Sequence, residues 1–508
     1  MNALSRHLRY GWVVLMTVLA VNVCLIRAEP LTENQQWSPD RFVRIGQFYY
    51  LADAVNRGAV PTSAPNKRGA YSVNPARLSV LLKDGVSRSA AAVSLSSNGF
   101  AISERPFFRN WYTVHVPDSV DIMSALLSLR AAKELKHVEP VIMLESFAFP
   151  DDPPADQYYA SQWNLPKVMA EQAWRITTGL DDILITVIDD GVDETHATNS
   201  SGDMWKNYRA SADWDYTVNW PNGQDGPWAT ATGDTDSHGT ACIGIIGAIT
   251  NGVTSGGTTR GIAGLAGGND SYDLGVDVTM IKTNLESDEL AAAIDKARLN
   301  GSDILSCSWG VRKGTVIDIV REAIEDAYSA GIVCVFSAGN WEEASDVGWP
   351  ARMAETIAVG ATKSNDFRAN YNDWGLAWDY IDNEWYQQGS SHGSNLDMMA
   401  PGHQIYTLDR WGTNGYSSTE YFSSFGGTSA AAPHAAATAG LLLSVNPNLT
   451  HTQIREILLQ TADKANPGTY SYTGSGPRGY GGWNNEMGYG RLNAYKAVLA
   501  AQTGTASI

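Results

Sequence analysis

Residues 425–443 read FGGTSAAAPHAAATAGLLL, and no other stretch constrains the chain as much. Gly426 and Gly427 permit a backbone turn that larger side chains obstruct, and Ser429 comes right after it. The apolar, small-residue run that follows is too long for most strands. It carries Pro433 four residues beyond Ser429, where an opening helical turn tolerates a proline. The pattern predicts a buried helix with Ser429 at its N-terminus, where the helix dipole and unpaired N–H groups favour negative charge developing on an attacked carbonyl.

A neutral hydroxyl is a weak nucleophile until a base takes its proton and a further group orients that base. Upstream, TDSHGT (235–240) supplies His238 among small residues, and ITVIDDG (185–191) places Asp189 at the end of an apolar strand. VFSAGN (335–340) puts the Asn340 amide at another strand end, within the same class of turn, where it can donate to an oxyanion. Singly, each has an ordinary reading as a turn residue, a structural histidine or a helix cap. Asp190 competes with Asp189, but neighbouring side chains on an extended strand point to opposite faces, so only one of the two is expected to meet His238.

The order Asp, His, Ser and four windows, VIDDG (187–191), HGTAC (238–242), SCSWG (306–310) and GTSAAAP (427–433), resemble the subtilisin-like serine peptidases. The resemblance covers roughly residues 155–500, and the windows look most like the kexin and furin branch. It implies a triad of Asp189, His238 and Ser429, with Asn340 and the Ser429 N–H stabilising the oxyanion. It also implies that Ser308, Trp309 and Gly310, with Ser337, Ala338 and Gly339, form the backbone walls of the first specificity pocket. The short remainder after Ala494 leaves no room for the β-sandwich domain that kexin and furin carry, so the likeness to that branch rests on the motifs alone.

At 508 residues the chain has length for two or three domains. A net charge of −18 argues against nucleic acid or an anionic membrane as partner. Arg6 and Arg9, then an uncharged run over residues 10–26 and a small residue at Ala28, read as a signal peptide over 1–28. That implies a secreted or extracellular protein, or a periplasmic one, with no stable membrane association once the signal is removed; an uncleaved anchor is the alternative. Cys242, Cys307 and Cys334 remain after cleavage, an odd number inside apolar windows, and are expected to be buried small hydrophobes rather than a disulfide framework.

Residues 29–75 show little periodicity and are expected to be largely irregular. Residues 76–150 read as a small α+β unit: strands over 77–82, 111–116 and 138–144 and a helix over 119–136. By the resemblance this is an inhibitory pro-domain, an intramolecular partner of the site. Residues 151–162, opening on DDPP, are expected to be a cleavable linker. A peptidase domain over 163–501 and a tail over 502–508 complete the chain. Within that domain, strands at 183–188, 276–281, 303–308 and 332–337 alternate with helices at 289–299 and 317–330. The fold class is therefore α/β, a parallel sheet with helices on both faces, with functional residues at the strands' carboxyl ends. Thr450 and Gln453 are spaced as a capping box for a helix over 450–462, and residues 468–482 read as a surface loop.

The function expected is hydrolysis of protein or peptide substrates through an acyl-enzyme, with no cofactor for catalysis. In kexin and furin, acids after the SWG window select basic side chains and help bind calcium; here Val311-Arg312-Lys313 follows, so a broad or apolar and aromatic preference is expected. Cleavage after basic residues and an inactive binding or scaffold protein are the alternatives. Structural calcium is carried as an expectation with its ligands unassigned, although Asp346 and Asp373 fall near where two further acids of that site stand. His196 and His434 match no catalytic position and are read as structural.

Overall fold

The structure is a computed structural model. It describes residues 42–45, 48–51, 72–143 and 154–503, apart from gaps at 98, 104–109, 118–119, 121, 155, 200–201, 230–235, 251–260, 270–274, 313–314, 343 and 380–383. The signal, the DDPP stretch up to 153, and Lys313 lie outside the described residues. The chain divides into two compact units, 1–147 and 148–508.

In the first unit, strand Ser72–Leu82 pairs antiparallel with Trp111–His115 and with Leu135–Met143. Helices Arg88–Ser96 and Ile122–Arg130 lend Ala91, Leu95, Leu126 and Leu129 to a core with Leu78, Val80 and Val114. The helix expected over 119–136 is shorter, because residues 135 and 136 belong to the following strand. Residues 29–75 are not wholly irregular: Phe42–Ile45 and Phe48–Leu51 form an antiparallel hairpin.

In the second unit, seven strands run parallel: β1 (Leu184–Asp189), β2 (Trp214–Asp215), β3 (Asp277–Lys282), β4 (Ile304–Cys307), β5 (Val333–Ser337), β6 (Thr356–Thr362) and β7 (Met398–Pro401). Their order is β7-β6-β5-β4-β1-β3-β2. Side chains alternate between two apolar cores. Ile185, Val187, Val278, Met280, Val335 and Val359 face one, with helices α1 (His238–Gly247), α4 (Thr428–Val445) and α6 (Ala494–Thr503). Ile188, Ile281, Leu305, Cys307 and Phe336 face the other, with α2 (Ser287–Leu299) and α3 (Asp318–Ser329). The period of two along buried strands thus gives helices on both faces, as expected.

Local sequence explains the helices. In α2, Leu290, Ile294 and Ala297 fall on the buried side, Asp288 and Glu289 sit in the first turn, and Lys296 and Arg298 in the last, matching the helix dipole. Helix α5 (His451–Gln460) begins on the anticipated capping box of Thr450 and Gln453. The linker expected over 151–162 is largely part of the domain. Gln162 is buried and exchanges two 2.8 Å hydrogen bonds with the Ala263 main chain, and Tyr159–Ser161 form a 3-10 turn. Among the described residues no helix is long and apolar enough to cross a membrane.

From β1 the chain runs to the edge strand β2 and back through β3, whereas from β4 it steps the other way through β5, β6 and β7, so the neighbours β1 and β4 send their connections in opposite directions and their carboxyl ends form a topological switch point.

Candidate active site

Asp189 is the last residue of β1, Ser308 follows β4, and Asn340 lies three residues past β5, so three expected residues leave adjacent strand ends. His238 opens α1 and Ser429 is the second residue of α4. Gly427, at φ 105°, makes the turn into α4 in a conformation that side-chain-bearing residues rarely adopt. Gly239 admits α1 to the strand end: a Cβ there would lie 2.3 Å from the Gly191 carbonyl and 3.0 Å from Asp189 Cβ.

His238 Nδ1 donates to Asp189 Oδ1 at 2.8 Å, which leaves Nε2 as the nitrogen that can take a proton. Burial is the largest influence and lowers the imidazole's proton affinity, but the charge and hydrogen bond of Asp189 together with the Cys242 contact outweigh it and hold the pKa well above the ordinary histidine range. The ring also packs edge-on against Phe425, 5.5 Å between centroids.

Pro433 lies inside α4, beyond its first turn, and this shapes the surroundings of Ser429. A proline has no N–H to give the carbonyl four residues before it, so Ser429 O lacks its helical donor. The Ser308 hydroxyl donates to that carbonyl at 2.9 Å and the Cys242 thiol at 3.6 Å. The same thiol lies 3.8 Å from His238 Nδ1, so Cys242 bridges the segments carrying His238 and Ser429. Ser429 Oγ itself donates to the Ser308 carbonyl at 3.3 Å, a rotamer in which its proton is not given to His238. Replacing Ser308 with Ala is expected to cost about 1 kcal/mol of stability, read by urea unfolding, since it removes one donor to a buried carbonyl.

Asn340 is oriented by the residue before Ser429. Its Oδ1 accepts from Thr428 N–H at 2.8 Å and from the Thr428 hydroxyl at 2.9 Å, so Nδ2 is the amide's donor toward the Gly427 side. Of the expected pocket residues, Trp309 differs in one respect. Its indole is buried against Phe336 and donates to the Ile188 carbonyl at 3.0 Å, so only its main chain is available to a substrate.

Asp190 also departs from the reading that only one acid meets His238. Beyond the end of β1 the strand alternation no longer holds, and Asp190 reaches the same segment: Oδ2 accepts from His238 N–H at 3.2 Å and Oδ1 from Gly239 N–H at 2.7 Å. Two residues earlier, Asp236 is buried between Arg410 Nη1 at 2.6 Å and Lys282 Nζ at 3.5 Å. Pro433's effect is legible from its spacing to Ser429, whereas the Asp236 cluster joins residues 46 and 174 positions apart and has no sequence signal.

His196 Nε2 lies 3.2 Å from the Glu420 carbonyl, and His434 is buried within α4. His434 Nδ1 donates to Ala430 O at 2.8 Å, and Nε2 faces the Asn164 amide nitrogen at 2.9 Å. A second proton would set Nε2–H against an N–H donor. Burial accordingly pushes the pKa down to about 4. The unfolded chain therefore binds a proton the folded one refuses between pH 6.5 and 4, and stability falls across that window by on the order of 2 to 3 kcal/mol. Measured by melting in a Ser429→Ala background to prevent autolysis, His434→Gln is expected to flatten this fall.

Three metal-ligating atoms, from Asp189, His238 and Cys242, lie within 4.8 Å of one another. Burial raises the thiol's pKa and keeps it protonated, which makes it a poor ligand. The two acids marked for calcium are committed elsewhere: Asp346 accepts from Val347 N and Asn395, and Asp373 pairs with Lys363 at 3.0 Å.

Residues 181–490 match the model of the subtilase family, Peptidase S8. The chain belongs to the subtilase family. Thermitase of Thermoactinomyces vulgaris is 31% identical over 347 residues, 68% of this chain and 99% of thermitase. A calcium-dependent protease of Nostoc is 31% identical over 442 residues, 78% of this chain, and this chain spans 58% of that protein's length. A solved structure titled as proteases from Pseudoalteromonas arctica matches with a TM-score of 0.51 at 23% identity, covering 68% of this chain and 99% of the other; it supports the subtilase fold alone.

Proposed function

We propose that this subtilase is a secreted serine endopeptidase that cuts polypeptides through an acyl-enzyme. The observation that carries the reading is the 2.8 Å bond from His238 Nδ1 to a buried Asp189, beside a serine at the N-terminus of a buried helix. Ser429 Oγ attacks the scissile carbonyl carbon as its proton passes to His238 Nε2. The oxyanion receives hydrogen bonds from Asn340 Nδ2 and the Ser429 N–H. Collapse breaks the C–N bond while His238 returns the proton to the leaving amine, and a water activated by the same nitrogen then hydrolyses the ester. Asp189 holds the tautomer and stabilises the imidazolium throughout.

An extended substrate pairs its main chain with residues 308–310, which favours broad specificity. With Arg312 and Lys313 following that segment, the pocket prefers apolar or aromatic side chains. A fluorophosphonate that labels Ser429 in wild type and not in Ser429→Ala tests the activity. A peptide library tests the preference, and strong enrichment of Arg or Lys before the cut would replace it with a basic-processing reading.

Residues 76–150 are assigned as an inhibitory pro-domain, and the signal over 1–28 as cleaved. N-terminal sequencing is expected to find a product starting near residue 150 in wild type and the longer chain in Ser429→Ala.

Structural calcium joins the proposal because a relative is named for its dependence on that ion. Calcium at a hundred times its dissociation constant adds about 2.7 kcal/mol, so EDTA is expected to lower the melting temperature of the Ser429→Ala protein and added calcium to restore it.

A further inference from the structure

The first residue of α1 is the candidate base, so whatever fixes this helix end fixes where the imidazole stands. Ser237, the residue preceding the helix, offers no side-chain cap, and its hydroxyl is buried with no hydrogen-bond partner among the described residues. The N–H groups of His238 and Gly239 are two of the helix's orphan donors. Both are taken by one carboxylate from another element, Asp190, at 3.2 and 2.7 Å. Its neighbour Asp189 holds the side chain of the same histidine at 2.8 Å. A third bond fastens the same turn, from Asp193 N–H to the Thr240 hydroxyl at 3.0 Å.

We infer that Asp190 is a positioning residue for the reaction: it clamps the main chain of His238 to the end of β1, so that the Asp189–His238 bond and the direction of Nε2 are set together. The inference rests on the reading of His238 as the base. A carboxylate suits this place because each oxygen accepts one N–H, whereas an amide offers one acceptor and turns a donor toward the other N–H. The charge also faces the positive end of α1. The ionisable groups around Asp190 are Asp189 on its own strand end, the His238 imidazole on α1 and the Tyr416 phenol on the loop before α4. Burial first, and then Asp189, push the Asp190 pKa up to about 7, so the clamp takes up a proton near neutral pH.

The test uses the full chain, self-processed, as wild type, Asp190→Asn and Asp190→Ala. Asn keeps the shape and one acceptor; Ala removes both. We expect kcat to fall about 10- to 100-fold in Asp190→Ala and less in Asp190→Asn, the cost of a misplaced catalytic group, with KM within about twofold; the melting temperature falls as two N–H groups lose their acceptor, but both variants stay folded at the assay temperature. Losing a negative charge beside the imidazole is also expected to move the acid limb of kcat/KM to lower pH in both variants. Three results would overturn the inference: wild-type kcat in Asp190→Ala; a loss that tracks melting temperature with the acid limb unmoved; or a rise in KM confined to substrates basic at the second position before the cut, which would make Asp190 a subsite. Fluorophosphonate labelling separates the two readings. Wild type that labels at Ser429 while Asp190→Ala labels equally fast overturns the clamp alone, and wild type that fails to label overturns the peptidase reading on which it stands.

Discussion

Replacing Ser429 or His238 with Ala is expected to lower kcat by about 10⁶, and Asp189→Asn by roughly 10⁴. The argument is one of mutual dependence. Ser429 Oγ is a poor nucleophile without a base, and Nε2 of His238 is available as that base only because Nδ1 is engaged by Asp189. Removing either member of the hydroxyl–imidazole pair removes the whole proton transfer, so the double variant Ser429→Ala/His238→Ala is expected to be no slower than either single one. Asp189→Asn keeps the geometry and can present its amide to Nδ1, which stabilises the wrong tautomer. Because the Ser429 variant is expected not to process itself, the comparison is made after an added peptidase has removed the residues before about 150. Substrate turnover by that Ser429→Ala protein at more than a hundredth of the wild-type rate would sink the assignment.

The site was legible where its chemistry demands small or charged residues at strand ends. Asp189, Ser308 and Asn340 close apolar runs of β-branched and aliphatic residues, and a strand followed by Gly or Ser marks its own carboxyl end. The sheet was legible only in part. β6, TIAVGAT, is buried along its whole length, so it shows no alternation, and its Ala and Gly give little strand propensity. β7, MMAP, carries a proline, which demotes a strand on pattern alone; at the end of the sheet order its missing N–H costs no central pairing. In the first unit, Arg88–Ser96 is rich in Ser and Ala, and its buried Ala91 and Leu95 are too few to announce a helical face. The contacts that orient the site were less legible. Strand alternation, carried one residue past the end of β1, turns one of the two acids away from His238, whereas Asp190 bonds the His238 and Gly239 N–H groups. The Asp236–Arg410–Lys282 cluster depends on three segments whose meeting is a property of the fold.

Asn340→Ala is expected to lower kcat by about 10² to 10³, roughly 3 to 4 kcal/mol of transition-state stabilisation, with little change in KM. The split follows from when the bond is made. A ground-state carbonyl is planar and carries only partial charge, whereas the tetrahedral intermediate moves its oxygen toward the amide and charges it fully, so the donor acts mainly in the transition state. That it is a donor is set by Thr428. The Thr428 hydroxyl accepts from Gly339 N–H at 3.1 Å and so turns its own proton to Asn340 Oδ1; the Thr428 N–H donates to the same oxygen. With Oδ1 held twice, the amide cannot flip and Nδ2 is presented preorganised. Asn340→Asp is expected to fare no better than Ala, since it sets a carboxylate against a developing oxyanion. Thr428→Val, which keeps the side-chain volume and the N–H but deletes the hydroxyl, is expected to cost about tenfold in kcat through a less firmly oriented amide. A rise in KM at constant kcat for Asn340→Ala would show that the amide binds substrate and transition state alike, and the oxyanion role would fall. Full activity in Thr428→Val beside a crippled Asn340→Ala would keep that role and remove only the account of how the amide is aimed.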